Sequence, residues 1–249
     1  MLLIADISQN FDTLENILDL IEKVKTDVIK LQYYSEFDLY GSGSKETKLK
    51  LEWFPKIEEC CNKFGKKLMC TVFSPDKVQD INKYVRFHKI ASSEITDIDL
   101  LTKISGTNKK TILSCGGATF KQIQKAMNIL EPNCACLMAC DVEYPSKRHT
   151  IRNMFEIKNY FQEMKIGYSD HSLDIFSMPI LVQHYGGEFY EKHVKPDASN
   201  DSYESHALTV SEFNEMSDCL RGYWQRKVRH NPHQRIYNPD LKKWVRPRV

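Results

Sequence analysis

Short apolar runs recur along the chain, separated by stretches whose apolar residues return every three or four positions. The runs are LLIADI (2–7), DVIKLQY (27–33), KLMCTVF (67–73), RFHKIAS (86–92), KTILSC (110–115), CACLMAC (134–140), KIGYSD (165–170) and GEFYEKH (187–193). Each reads as a strand buried on both faces. Between the first two, TLENILDLIEKVK sets Leu14, Ile17, Leu18, Ile21 and Val24 at helical spacing, which predicts an amphipathic helix lying on a sheet. Eight alternations of this kind predict a parallel sheet with helical crossovers.

Such a sheet is either open and doubly wound or closed into an eight-stranded barrel. An open sheet gathers its chemistry at one switch point, usually behind a glycine-rich phosphate loop, and no G-x-G-x-x-G follows the first run. Instead nearly every run carries polar residues at or just beyond its C-terminal end: Asp6, Lys30 and Gln32, Thr71, Lys89 with Ser92 and Glu94, Ser114, Tyr144, His171, and Glu191 with His193. Eight strand ends meet at one mouth only in a barrel, so the expected fold is a (β/α)8 TIM barrel. Residues 1–208 are assigned to it. Residues 209–249 are read as a C-terminal helix, capped by Thr209 or Ser211, and a Pro-broken basic tail that is not a separate domain.

The polar residues at the mouth suggest chemistry. His171 and His193 follow neighbouring strands and can reach one divalent transition ion such as manganese, zinc or iron, with positions left open for Lewis-acid work. Lys30 and Lys89 lie inside apolar runs, where an ammonium is costly unless it is paired or reaches the mouth. Beside Thr71, Ser92 and Ser114 they make a site for a phosphate or a carboxylate, against the plainer reading of edge lysines facing water. Asp6, Glu94 and Glu191 can balance a lysine, bind the ion or move a proton, and spacing does not divide those roles. Tyr144 precedes Pro145, which restrains the backbone there. Ser169, Asp170 and His171 are consecutive, so strand alternation turns Asp170 away from the other two and excludes a Ser-His-Asp line.

Composition narrows the class. Eight cysteines without paired C-x-x-C knuckles read as reduced thiols of a cytoplasmic protein. The opening MLLIADIS is too short for a membrane span and lacks a basic leader, so it reads as a buried strand. Residues 221–249 hold nine lysines or arginines and one acid, leaving 26 basic and 32 acidic residues in the body. A basic tail suits an acidic partner, a membrane surface or nucleic acid, against the plainer reading of a solvated terminus. Nothing else in the chain supports nucleic acid.

Seven motifs in consistent order across residues 2–213 carry a resemblance: ADISQN (5–10), KLQ (30–32), KIASSE (89–94), ILSCGGAT (112–119), CDVEYP (140–145), GYSDHS (167–172) and GGEFYEKH (186–193). In these the chain resembles the N-acetylneuraminate (sialic acid) synthase family, phosphoenolpyruvate-condensing TIM barrels. The resemblance implies that His171 and His193 bind a divalent metal, manganese foremost and magnesium as the alternative. It implies that Lys30, Thr71, Lys89, Ser92, Ser114 and Ser169 hold phosphoenolpyruvate, that Gln32, Tyr144 and Asp201 meet an N-acyl amino sugar, and that Asp6, Glu94 and Glu191 act at the reacting carbons. It also implies a homodimer. In the family reaction, C3 of phosphoenolpyruvate attacks the aldehyde of an open-chain N-acetylmannosamine-type sugar, water adds at C2, and phosphate leaves with a nine-carbon 2-keto sugar acid.

The chain departs from the family pattern at Asp6, Ser8, Phe11, Ala139 and Val142. Where the family has an antifreeze-like C-terminal domain that supplies an arginine to the partner's sugar site, this chain has its basic tail. These departures define the alternative: a catalytically impaired barrel that binds phosphoenolpyruvate or a related ligand as a binding or scaffold protein.

Overall fold

The computed structural model describes residues 1–43, 48–147, 151–198 and 202–222, with the backbone of 223–228, 236–238 and 243–245. Eight parallel strands run in sequence order: β1 (Leu2–Ser8), β2 (Val28–Tyr33), β3 (Lys67–Val72), β4 (Phe87–Ile90), β5 (Thr111–Ser114), β6 (Cys134–Cys140), β7 (Ile166–Asp170) and β8 (Phe189–Lys195). β8 pairs back onto β1, from Leu2 opposite Phe189 to Asp6 opposite His193, and closes the barrel. The expected TIM barrel is what the chain forms.

The helices are α1 (Leu14–Lys23), α2 (Glu36–Tyr40), α3 (Phe54–Lys63), α4 (Lys77–Asn82), α5 (Ile98–Ser105), α6 (Phe120–Leu130), α7 (Ile151–Tyr160), α8 (Ser177–His184) and α9 (Val210–Val228). α1 starts where Thr13 accepts a hydrogen bond from the amide of Asn16, and it buries Leu14, Ile17, Leu20 and Ile21 on one stripe. Ile17, Ile57, Ile81, Leu101, Ile123, Ile157, Val182 and Phe213 bring one helix each into a single core around the barrel's outer face. α9 is capped by Thr209, whose hydroxyl accepts from the Glu212 amide. It docks on the α1 end through Asn214 to Lys23 O (3.0 Å) and Ser217 to Lys25 O (2.7 Å), completing the helical ring. Among the described residues no helix is long and apolar enough to cross a membrane, and all eight cysteines are free thiols.

The barrel interior explains where the site lies. Side chains alternate along a strand, so every second residue points inward. Ile4, Val28, Met69, Ile112, Cys136 and Met138 form one apolar interior cluster, with Leu2, Phe87 and Phe189 packed against it. Two positions further along the same strands come Asp6, Lys30, Thr71, Ser114 and Cys140, joined by Lys89 after Phe87 and Glu191 after Phe189. The interior is therefore an apolar plug topped by a polar layer at the C-terminal mouth. Gly167 keeps the plug tight, since a Cβ there would lie 2.8 Å from the Phe189 Cβ.

Candidate active site

The polar layer is an ionic network sunk beneath the mouth. Lys30 Nζ lies 2.6 Å from Asp6 Oδ2 and 2.9 Å from Glu191 Oε1. Lys89 Nζ donates to Ser114 Oγ at 2.7 Å and stands 3.5 Å from Glu191 Oε1. Ser169 Oγ donates to the same oxygen at 2.8 Å. Burial works against the charge on Lys30, but Asp6 and Glu191 outweigh it and raise its pKa. Burial likewise opposes the Glu191 carboxylate, and Lys30 and Lys89 hold it well below the usual range. Lys89 has the weaker support: burial lowers its pKa and Glu191 offsets this only in part.

Two buried polar atoms in this layer have no hydrogen-bond partner among the described residues, Thr71 Oγ1 and Glu191 Oε2. Buried polar atoms are rarely left so, and both belong to residues lining a cavity of about 390 Å³. Lys30, Lys89, Ser92, Ser114 and Ser169 line the same cavity, as do Gln32, Tyr144, His171 and His193. Two ammoniums and several hydroxyls in one concavity suit a small, multiply charged anion, while the unfilled carboxylate oxygen of Glu191 can accept only from a proton donor.

Imidazoles gather on one side of the cavity. His171 Nδ1 lies 2.8 Å from the carbonyl oxygen of Asp141, which can only accept, so Nδ1 carries the proton and Nε2 keeps its lone pair. His193 Nδ1 is 2.6 Å from Glu204 Oε2, and its Nε2 is 3.3 Å from Asp6 Oδ2. The Tyr144 ring stacks on His171, with centroids 4.1 Å apart, and meets His206 edge-on at 4.8 Å. Burial, then the nearby His193, lowers His171 to about 3 and His206 to about 4. Burial also opposes charge on His193, but Asp6 and Glu204 outweigh it and raise its pKa. Glu204 is brought down to about 2, His193 overriding the effect of its own burial. Among the described residues His193, Glu204 and His206 offer ligand atoms all within 4.8 Å of one another. Imidazoles and a carboxylate are donor types that fit a divalent cation, which here would replace the proton that His193 Nδ1 and Glu204 Oε2 share at 2.6 Å.

The remaining sequence candidates fall differently. Asp6 is fully buried beneath the cavity, where it receives Lys30 and the Gln32 side-chain amide at 3.0 Å. Glu94 ends a 3-10 turn, Ser92–Glu94, that begins where β4 stops; it is half-buried and does not line the cavity. Asp201 lies outside the described residues. Glu204 and His206, which the sequence reading passed over, stand in the loop after β8 and line the cavity. Their signal was present: Glu191, His193, Glu204 and His206 are four metal-capable side chains within a short span. Asp170 faces the other way, accepting from the Tyr190 hydroxyl, from Lys192 Nζ at 2.6 Å and from the Ser172 amide at 2.8 Å.

The sequence matches the NeuB family over residues 17–230. Among curated proteins, it is 31% identical over 214 residues to an uncharacterised protein of Methanocaldococcus jannaschii, covering 80% of this chain and 63% of that one. It is 29% identical over 253 residues to the pseudaminic acid synthase of a Campylobacter jejuni strain, covering 88% and 72%. The chain thus spans under two thirds of the first relative's length. Among solved structures, the N-acetylneuraminic acid synthetase of Leptospira borgpetersenii, in complex with citrate, superposes with a TM-score of 0.81 at 24% identity, covering 92% of this chain and 85% of that one. The spore coat polysaccharide biosynthesis protein SpsE of Bacillus subtilis gives 0.80 at 23%, covering 91% and 69%. These two likenesses speak for the barrel. With a family match running through most of its length and sugar-acid synthases among its relatives, the chain belongs to the NeuB family.

Proposed function

We propose that this protein condenses phosphoenolpyruvate with an open-chain N-acyl amino sugar of the N-acetylmannosamine type, giving a nine-carbon 2-keto sugar acid and phosphate. The observation that carries the reading is the buried pair Lys30 and Lys89, set with the hydroxyls of Thr71 and Ser114 around one cavity that also holds Glu191 and the histidines. The lysines meet the phosphate and carboxylate of phosphoenolpyruvate, and Thr71, Ser92, Ser114 and Ser169 supply hydrogen bonds to its oxygens. Gln32 and Tyr144, which line the same cavity, orient the sugar, as would Asp201. His171 and His193 would hold the divalent cation, manganese foremost or magnesium, and a Lewis acid bound there supplies polarisation of the aldehyde oxygen.

Glu191 has the part of base. Its carboxylate is held ionised by Lys30 and Lys89. An anion on those lysines takes up the positive charge that restrains Glu191 and makes its free oxygen more basic. Glu191 would accept a proton from the water that adds at C2 once C3 of phosphoenolpyruvate has bonded to the aldehyde carbon. Asp6 keeps Lys30 and Gln32 in position, while Glu94, off the cavity, acts through its neighbours.

The reading is tested by phosphate release from phosphoenolpyruvate. Release is expected only when metal, phosphoenolpyruvate and an amino-sugar aldehyde are all present, and Glu191→Gln should lower it at least about a hundredfold. No release with any of a panel of six-carbon N-acyl amino sugars would overturn the activity.

A further inference from the structure

We propose that the N-terminal end of the barrel, opposite the mouth, carries a second anion site, formed by Lys66, Lys67, Lys83, Arg86 and Lys109, for a di- or triphosphate group borne on a small organic body. The inference goes beyond the synthase reading and stands without it. The five side chains line one cavity of about 420 Å³, and Glu58 is the one acid among the described residues of its wall.

The topology builds the cluster. Lys66 and Lys67 stand where α3 gives way to β3, Lys83 and Arg86 between α4 and β4, and Lys109 just before β5. Because β3, β4 and β5 are parallel neighbours, their starts lie side by side at the same end of the barrel. Thr71 is four residues along β3 from Lys67, about 13 Å of strand, so this cavity and the one at the mouth are separate.

Charge is what sets the cavity apart. The body of the chain holds 26 basic and 32 acidic residues, so five cations around one acid run against its balance. Elsewhere lysines are matched, Lys23 with Asp19, Lys77 with Asp38 and Lys165 with Glu188, whereas none of the five is in an ion pair among the described residues. The plainer reading is helix capping, and it accounts for two of them. Lys66 Nζ donates to Ile21 O and, at 2.7 Å, to Val24 O at the end of α1; Lys109 Nζ donates to Asn82 O and, at 2.7 Å, to Val85 O beyond α4. Carbonyls carry no net charge, so capping fixes these ammoniums in place and leaves them unbalanced. Burial lowers the pKa of both, an effect that a bound anion opposes.

The other three are exposed. Lys67 Nζ lies 5.7 Å from the Phe87 ring centroid and Lys83 Nζ 4.8 Å from that of Tyr84, which stacks on Phe54 at 5.6 Å. A ring face steadies an ammonium and leaves its protons for a ligand. Arg86 adds a guanidinium fork, the group that best matches phosphate oxygens. One phosphate brings about two negative charges, so balancing five cations against one acid takes two or three. Small-molecule sites span about 300–1,000 Å³, which leaves this cavity room for an organic body.

The test is calorimetry on the full chain with ADP and AMP as probes, without metal and at about 0.15 M salt to screen diffuse attraction. One ADP should bind per chain, AMP should bind at least about tenfold more weakly, and Arg86→Glu should weaken ADP at least about tenfold. Lys89→Met, which alters the mouth, and Lys121→Glu, which reverses an exposed charge on α6, should leave ADP affinity unchanged. Far-UV circular dichroism confirms the fold of each variant. No ADP binding to wild type, AMP bound as tightly as ADP, or binding that folded Arg86→Glu retains in full overturns the proposal. Loss of ADP binding in Lys89→Met overturns it by moving the anion to the mouth, and equal loss in Lys121→Glu by making the attraction diffuse. Single-stranded DNA bound far more tightly than ADP, with affinity falling steeply as salt rises, overturns it as well and makes this face a nucleic-acid surface.

Discussion

The two faces of β7 and β8 hold two buried ionic networks built from the same residue types, and they are finished to different degrees. On the outer face, Lys192 is fully buried and spends its three protons on Asp170 (2.6 Å), Ser172 Oγ (3.4 Å) and Asp174 O (3.2 Å), while Asp170 also takes the Tyr190 hydroxyl. On the inner face, Lys30, Lys89, Asp6, Glu191 and Ser169 interlock, yet Glu191 Oε2, and Thr71 Oγ1 of the same cavity lining, have no partner among the described residues. A closed network braces the wall between sheet and helices. An open one, lining a cavity, is arranged for something that arrives later.

The same substitution at the two buried lysines should therefore have opposite consequences. Lys192→Met strands Asp170 beside the helices and is expected to cost about 3–5 kcal/mol in urea unfolding, with ligand binding in the surviving folded protein unchanged. A cost near zero would break the distinction between the faces.

His88, also on an outer position, sharpens it through pH. Burial, with Lys109 nearby, lowers His88 from 6.5 to about 4. Its folded pKa is depressed, so between these values the unfolded chain binds the extra proton and stability falls as pH drops from 6.5 towards 4. This one group is expected to contribute about 3 kcal/mol of that fall. His88→Gln, which retains a polar contact for Asn82, should flatten the unfolding free energy across that window; an unchanged slope would show that another group carries it.

Lys89→Met is the inner counterpart. Glu191 keeps Lys30 and Ser169, so stability should stay within about 1 kcal/mol of wild type. Inorganic phosphate or phosphoenolpyruvate should then raise the melting temperature of wild type and not that of the variant. Equal protection of both would remove Lys89 from the anion site. Smallest is Tyr144→Phe: the ring over His171 stays and metal affinity should not change, while the KM for the sugar rises about three- to tenfold, the net worth of one hydrogen bond.

How much of this was legible depends on whether a residue sits in a repeating element. The strands were readable because each is a dense apolar run, and strand alternation placed Ser169 and His171 on one side and Asp170 on the other. The interior lysines stood out as charges where apolar residues were due. Glu204 and His206 lie in a loop, where no period says which way a side chain points, and it is the pairing of Val194 with Leu208 beside β8, with the hydrogen bonds of Ser8 and Asn10 to Glu204, that brings the loop back over the mouth. Glu94 misleads for the converse reason: the turn at Ser92 breaks the strand's alternation, so its distance in sequence from Lys89 no longer tells its direction. His88 reads as one more polar residue of a run until the fold shows it buried with Nδ1 lacking a partner among the described residues.

The most direct measurement is a mass spectrum of the products formed from phosphoenolpyruvate and a mixed pool of N-acyl amino sugars with Mn2+. A new nine-carbon 2-keto acid, formed one for one with phosphate and missing when Glu191→Gln replaces wild type, is the result this account expects. Phosphoenolpyruvate bound at Lys30 and Lys89 but recovered intact from every mixture would contradict it and leave the inner network a binding site without chemistry.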